Sequence, residues 1–174
     1  MAPTSRKDGK VRKEPAESNP VSIGPARAEE AEAIAALIRR AFAQYRGRLQ
    51  PEPSALREST DSIRSVLETE SVVVARRAGR VIGCVSVQQR PDIVFARRLA
   101  VEPGERGAGV GRALVAEAEE VARRLGISRL GVETRLALTE NRAFFQALGF
   151  VERAQHCHAG FAYPTYVELQ KTLI

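Results

Sequence analysis

The stretch PGERGAGVGRALV, residues 103–115, places four glycines and two arginines between a run of strand character and a run of helix character. A helix N-terminus exposes unpaired backbone N–H groups at the positive end of its dipole, and glycines let an anion approach that backbone closely. The segment therefore reads as a phosphate cradle, and three patterns compete for it. The nucleotide loop G-x-x-x-x-G-K-[ST] runs from Gly104 to Gly109 and then fails, because Val110 and Gly111 stand where Lys and Ser or Thr are required. The dinucleotide fingerprint G-x-G-x-x-G meets Arg112 at its third glycine when started at Gly107, and Leu114 when started at Gly109. Glu133 lies near the spacing of a ribose-binding acid, but that fingerprint belongs early in a series of βαβ units. The third pattern, R-x-x-G-x-G, is filled by Arg106, Gly109 and Gly111.

Outward from the cradle, IVFARRLAV (93–101) reads as the strand that enters it. Val110, Leu114, Ala118, Val121 and Leu125 recur at helical spacing after it, with Gly126 where a C-terminal cap belongs. Upstream, a short strand from Val21 and then Pro25 precede a helix whose Ile34, Leu37, Ile38, Ala41, Phe42 and Tyr45 share one face. A loop through Pro51 and Pro53 leads to a short helix in STDSIRSVLETE (59–70), and 71–91 reads as a hairpin turning at Ala78 and Gly79. Downstream, SRLGVET (128–134) is a strand, TENRAFFQALGF (139–150) a short helix begun by Thr139 and ended by Gly149, and the tail two strands around a Gly and Pro break. The order is β, α, α, three antiparallel strands, α, β, α, β, β, hence one α/β (α+β) layered domain over residues 21–174. Residues 1–20, with Arg6, Lys7, Lys10, Arg12 and Lys13 and almost no large apolar side chain, read as a disordered basic leader.

The stretch RLAVEPGERGAGVGRALVAEAEEVARRLG (98–126) resembles the pyrophosphate-binding motif of the GNAT superfamily of acetyl-CoA-dependent N-acetyltransferases, and TENRAFFQALGF resembles that family's second signature. The resemblance extends in element order from about residue 21 to 174. It implies a central mixed, mostly antiparallel sheet of about six to seven strands with about four helices, its central parallel strands splayed apart. It further implies acetyl-CoA as cosubstrate and direct attack by a primary amine, on a small molecule, an amino acid or a peptide N-terminus, in a ternary complex. Backbone groups of Arg106, Gly107, Ala108, Gly109, Val110 and Gly111 would hold the pyrophosphate, with Arg106 and Arg112 adding positive charge. Leu99, Ala100 and Val101 would pair with the pantetheine arm, and a backbone N–H near Ala100 or Val101 would meet the developing oxyanion. Asn141 would reach the cofactor, or else cap its own helix.

The resemblance also implies a tyrosine, four residues before the Gly-Phe pair, that protonates the departing thiolate; this chain has Phe145 there. A phenyl ring has no proton to give. Either water, His158, Tyr163 or Tyr166 serves, or the protein binds or senses acyl-CoA with little turnover. Glu133 reads equally as a general base for the amine and as a strand-end carboxylate paired to Arg135 or another of the many arginines. His158 lies in HCHAGFAYPTY (156–166), which is similar to a His-x-Gly-aromatic stretch near the C-terminus of some family members. His156 and His158 share a strand face, but no third or fourth ligand stands at a metal-like spacing, so no metal is expected. Cys84 and Cys157 read as buried apolar residues, and Phe144 and Phe150 as core.

Composition bounds the partners. With 27 Lys plus Arg against 21 Asp plus Glu, the net charge of +6 favours an anionic partner. Aromatic residues are 5% of the chain and no basic stripe alternates with them, which disfavours nucleic acid although the leader could make salt-sensitive contacts. No apolar run approaches about 18 residues, so no membrane association is expected, and two widely spaced cysteines fit a reducing, cytoplasmic setting. A homodimer stays open, and the acceptor pocket, built from the first two helices, their loop and the last strands, carries no readable code.

Overall fold

Runs of β-branched residues build a seven-stranded sheet in the computed structural model, which describes residues 19–174. The strands are β1 (Val21–Pro25), β2 (Ser71–Arg77), β3 (Arg80–Gln89), β4 (Val94–Val101), β5 (Arg129–Arg135), β6 (Val151–His156) and β7 (Tyr166–Thr172), in the order β1-β2-β3-β4-β5-β7-β6. Every neighbouring pair is antiparallel except β4 and β5. The helices are α1 (Ala31–Phe42), α2 (Thr60–Thr69), α3 (Val110–Arg124) and α4 (Thr139–Ala147). This is the mixed architecture that the order of motifs implies. The basic leader lies, up to residue 18, outside the described residues.

Each sheet face is closed by its own helices. Ile34, Leu37 and Ile38 of α1 pack with Val72, Val74 and Val81 on one face, whereas Val110, Leu114 and Val121 of α3 pack with Val73, Val85 and Leu130 on the other. Strand side chains alternate between the two sets, as period-2 geometry requires of a sheet covered on both sides. The hairpin turns on Ala78 and Gly79, both at positive φ (50° and 75°), the two-residue geometry that matches strand twist. Two local expectations shift. The first helix stops at Phe42, and Tyr45 sits in a 3-10 turn instead. Helix α4 begins at Thr139 without side-chain capping, because Leu138 occupies the cap position.

The parallel contact between β4 and β5 is short. It comprises Val94 with Leu130, Phe95 with Gly131 and Ala96 with Val132, after which the strands part. On the other side of β4 the register with β3 slips between Ser86↔Arg97 and Cys84↔Ala100, so Val85 alone faces Arg98 and Leu99. This is a β-bulge, with Arg98 in the left-handed region at φ 53°. It inverts the alternation of the strand: Val94 and Ala96 face the α3 side, and past the bulge Leu99 and Val101 do, while Ala100 joins the α1 side. The conformation costs a non-glycine residue about 1–2 kcal/mol. It is held by Arg98 Nε donating to Glu58 Oε1 (2.7 Å) and Nη2 donating to Ser54 Oγ (2.8 Å).

Where the two parallel strands do meet, contact is tight. A Cβ on Gly131 would lie 2.7 Å from the Phe95 ring, which is itself covered by the Arg90 guanidinium at 4.2 Å. Gly131→Ala is expected to destabilise the fold by about 1–3 kcal/mol through overpacking, read as a lower urea midpoint with an unchanged slope.

Candidate active site

The glycine segment folds as a loop entering α3. Its last residue before the helix, Gly109, is the N-cap at φ 82°, and no side chain caps α3, so the N–H groups of the first turn keep their hydrogen-bonding capacity. A Cβ on Gly107 or Gly109 would meet no atom within 4 Å. Backbone conformation is thus what requires glycine here, and the space above the loop is open to a ligand. The loop is anchored from two sides: Arg106 Nη2 donates to the Ala41 carbonyl (2.9 Å), and the Arg40 guanidinium grips Glu102 (2.8 Å), holding that carboxyl below its usual range. Arg77 pairs with Glu105 at 3.0 Å.

This loop forms one end of a cleft of about 1010 Å³. The cleft runs between the parted ends of β4 and β5, under the α1–α2 loop and over the first turns of α3 and α4. Leu99, Ala100, Val101, Arg106, Gly107, Gly109, Val110, Gly111, Arg112, Asn141 and Phe145 line it; Ala108, between the two glycines, does not. The Glu102 N–H donates to the Ile82 carbonyl at 2.8 Å. Backbone alternation then points the Val101 and Leu99 N–H groups toward the opposite, unpaired edge, which is the cleft. Asn141 makes no side-chain hydrogen bond among the described residues, so the capping alternative is not realised. Phe145 is buried edge-to-face between Phe144 (5.1 Å) and Phe150 (5.6 Å) while reaching the cleft.

At the other end stand Glu133, Arg135, His158 and Tyr166. Glu133 is exposed and forms no ion pair among the described residues. Arg135, its expected alternative partner, instead donates to the carbonyls of Gln50 (3.2 Å) and Pro51 (2.7 Å) in the α1–α2 loop. The His158 N–H donates to Thr165 Oγ1 (3.0 Å), its Nδ1 meets the same hydroxyl, and its ring lies 4.8 Å from that of Tyr166. Burial, then the charge of Arg135, push the imidazole below its ordinary pKa. Burial, then Glu133 and Glu168, raise that of the Tyr166 phenol.

Two side chains fall elsewhere than expected. Tyr163 is 62% exposed, packs edge-on against Phe161 and does not line the cleft. Cys157, read as buried, is exposed at the cleft wall, because β6 ends one residue earlier at His156. Cys84 is buried as expected, its thiol pushed up to about 12 by burial. His156 stacks on Tyr166 (5.1 Å). Among the described residues no group of three or more His, Cys, Asp or Glu could hold a metal, and no helix is long and apolar enough to cross a membrane.

Residues 32–150 match the acetyltransferase (GNAT) family. The chain belongs to that family. An IAA acetyltransferase of Azospirillum brasilense is 34% identical over 83 residues, an alignment covering 47% of this chain and 54% of that protein, so the match spans about half of each. Among solved structures, the PaiA N-acetyltransferase of Thermoplasma acidophilum in complex with coenzyme A superposes with a TM-score of 0.74 at 16% identity, covering 88% of this chain and 99% of that one. YncA of Salmonella typhimurium, a putative acetyltransferase with acetyl-CoA, gives 0.72 at 22%, covering 90% and 95%. An IAA acetyltransferase from Bacillus cereus gives 0.62 at 22%, covering 88% and 100%.

In this GNAT protein several cleft residues carry no sequence signal of their own. Phe95, Arg97 and Arg98 read simply as strand, and Tyr45, Leu49 and Pro53 as helix end and loop; tertiary packing alone brings them to the cleft. Arg135 was legible only as a counter-charge for Glu133.

The depressed pKa of His158 couples its protonation to the stability of the fold. The unfolded chain binds the proton more readily, so stability is full above the ordinary 6.5 and declines as pH falls from there to the folded value. The His158 ring resonances are expected to titrate with a midpoint below 6.5 by NMR, and Arg135→Gln to move that midpoint upward.

Proposed function

We propose that this chain is an N-acetyltransferase that moves the acetyl group of acetyl-CoA to a primary amine by direct attack in a ternary complex. The observation that carries the reading is the unpaired edge of β4 past the bulge, which leads straight to the uncapped N-terminus of α3. An extended chain ending in phosphates fits such an edge: amides of the pantetheine arm pair with Leu99 to Val101, and pyrophosphate oxygens accept from the N–H groups of Arg106 to Gly111 beside Arg112. Residues 21–174 act as one domain, and the composition suits the cytoplasm.

The thioester then lies where β4 and β5 part, with Glu133 and His158 on the acceptor side. Either can take the proton of the incoming ammonium; the lowered pKa of His158 leaves its ring neutral at pH 7 and able to accept. As nitrogen bonds to the carbonyl carbon, charge grows on oxygen within reach of the fixed N–H groups of the β4 edge. The C–S bond breaks, the newly bonded nitrogen releases its second proton to the base or to solvent, and the thiolate takes one from water or from the Tyr166 hydroxyl, since Phe145 has none to give. Tyr166 faces the cleft, and its raised pKa keeps the phenol protonated and available as a donor, whereas Tyr163 does not face it. That missing proton at Phe145 is also what favours the second reading, an acyl-CoA-binding module with little turnover.

Thiol release from acetyl-CoA over a panel of amines, amino acids and peptides separates the two. Release above the acceptor-free rate is expected; tight CoA binding without release for any acceptor would leave the binding module. Gly109→Val, which forces a branched residue to φ 82°, is expected to weaken CoA binding about tenfold by calorimetry, the equivalent of about 1–2 kcal/mol of backbone strain. Tyr166→Phe is expected to lower kcat while leaving the KM for acetyl-CoA nearly unchanged.

A further inference from the structure

The charges along the cleft are not alike in how they are satisfied. Arg97 pairs with Glu70 at 3.0 Å and Arg98 with Glu58 at 2.7 Å, while Arg106 and Arg112 stand at the α3 cradle. At the acceptor end this leaves Glu133 and Arg135, together with Arg90, whose guanidinium sits over the Phe95 ring. Glu133 and Arg135 are two residues apart on β5, so they share a face and are rooted about 7 Å from each other. Opposite charges so placed ordinarily pair. Here they do not, because Arg135 is held by the Gln50 and Pro51 carbonyls, one on each terminal nitrogen. Carbonyls orient a guanidinium without neutralising it. Of its five N–H donors, three remain for another acceptor.

We propose that this pair is a receptor for a zwitterion, and that the acceptor is a free α-amino acid or a compound with the same head group. The proposal rests on the acetyl-transfer reading for its chemistry. An α-amino acid carries its nitrogen and its carboxylate on one carbon. Charge-assisted hydrogen bonds of about 2.8 Å at each end let that unit bridge Glu133 and Arg135. The ammonium faces Glu133, which can accept the proton that must leave before attack. The carboxylate takes the open edge of the Arg135 guanidinium, and so the amine is set against the parted strands in one orientation. A peptide N-terminus presents a neutral amide where this site offers a cation, so it lacks the second anchor.

The test uses the full chain loaded with CoA and reads acceptor binding by calorimetry, with the twenty standard amino acids as probes. Each amino acid that binds is then compared with its amide, its decarboxylated amine and a dipeptide bearing it at the N-terminus. At least one amino acid is expected to bind, ten or more times tighter than all three analogues. Arg135→Gln is expected to erase that difference while CoA affinity stays as in the wild type; Arg135→Lys, which keeps the charge but loses the fork, retains part of it. The proposal is overturned if no amino acid binds, if amides bind as well as acids, or if the discrimination survives in Arg135→Gln. Discrimination in binding without thiol release would sink the transferase reading alone. Thiol release indifferent to the carboxylate would sink the zwitterion receptor alone.

Discussion

Arg98 sits in a backbone conformation that arginine avoids, and the site is arranged around that fact. The bulge there adds one residue to β4 opposite Val85, which reverses which side chains face which layer and coincides with the end of pairing to β5. Glu58 and Ser54, both from the segment before α2, grip the guanidinium and hold the distortion in place. A strand edge inside a sheet, with N–H and C=O groups lacking a neighbour, is otherwise an unstable arrangement. In this molecule it is the surface on which an extended ligand can complete the sheet.

Electrostatics divides the cleft into two halves by different means. At the α3 end the attraction comes from oriented backbone N–H groups, with arginine side chains engaged largely in fixing the loop to α1 and β2. A dipolar cradle of this kind stays aligned without the entropy that long side chains lose when they close on an anion. At the acceptor end the attraction comes from side chains, one carboxylate and one guanidinium, kept apart by backbone carbonyls. The net charge of +6 is thus compatible with one specific anionic ligand at the α3 end, and calls for no polyanion.

Much of the fold was legible because its signals are local. The helical period from Val110 to Leu125, the alternation of 71–89 and the turn at Ala78 and Gly79 each follow from near-neighbour geometry, and the structure places them where the pattern does. The cradle was legible for the same reason, since glycines before a helix declare an open N-terminus. Local signals also misled where tertiary contacts prevail. Thr139 has a capping side chain but does not cap, and Cys157 has the chemistry of a core residue but lies beyond the end of an edge strand. Phe145 belongs at once to the core and to the cleft wall.

By itself the sequence determined the order of elements, the layer class and the place of the phosphate cradle, because each depends on residues within a few positions of one another. Only the tertiary structure decided that β4 bulges at Arg98, since nothing in FARRLAV marks a non-glycine residue for positive φ. Glu58, forty residues away in the chain, is what holds it there. Likewise only the structure separated Glu133 from Arg135, by bringing the Gln50 and Pro51 carbonyls against the arginine from more than eighty residues upstream. Hydrogen bonds of such range depend on the chain's path through space, and no local pattern encodes them.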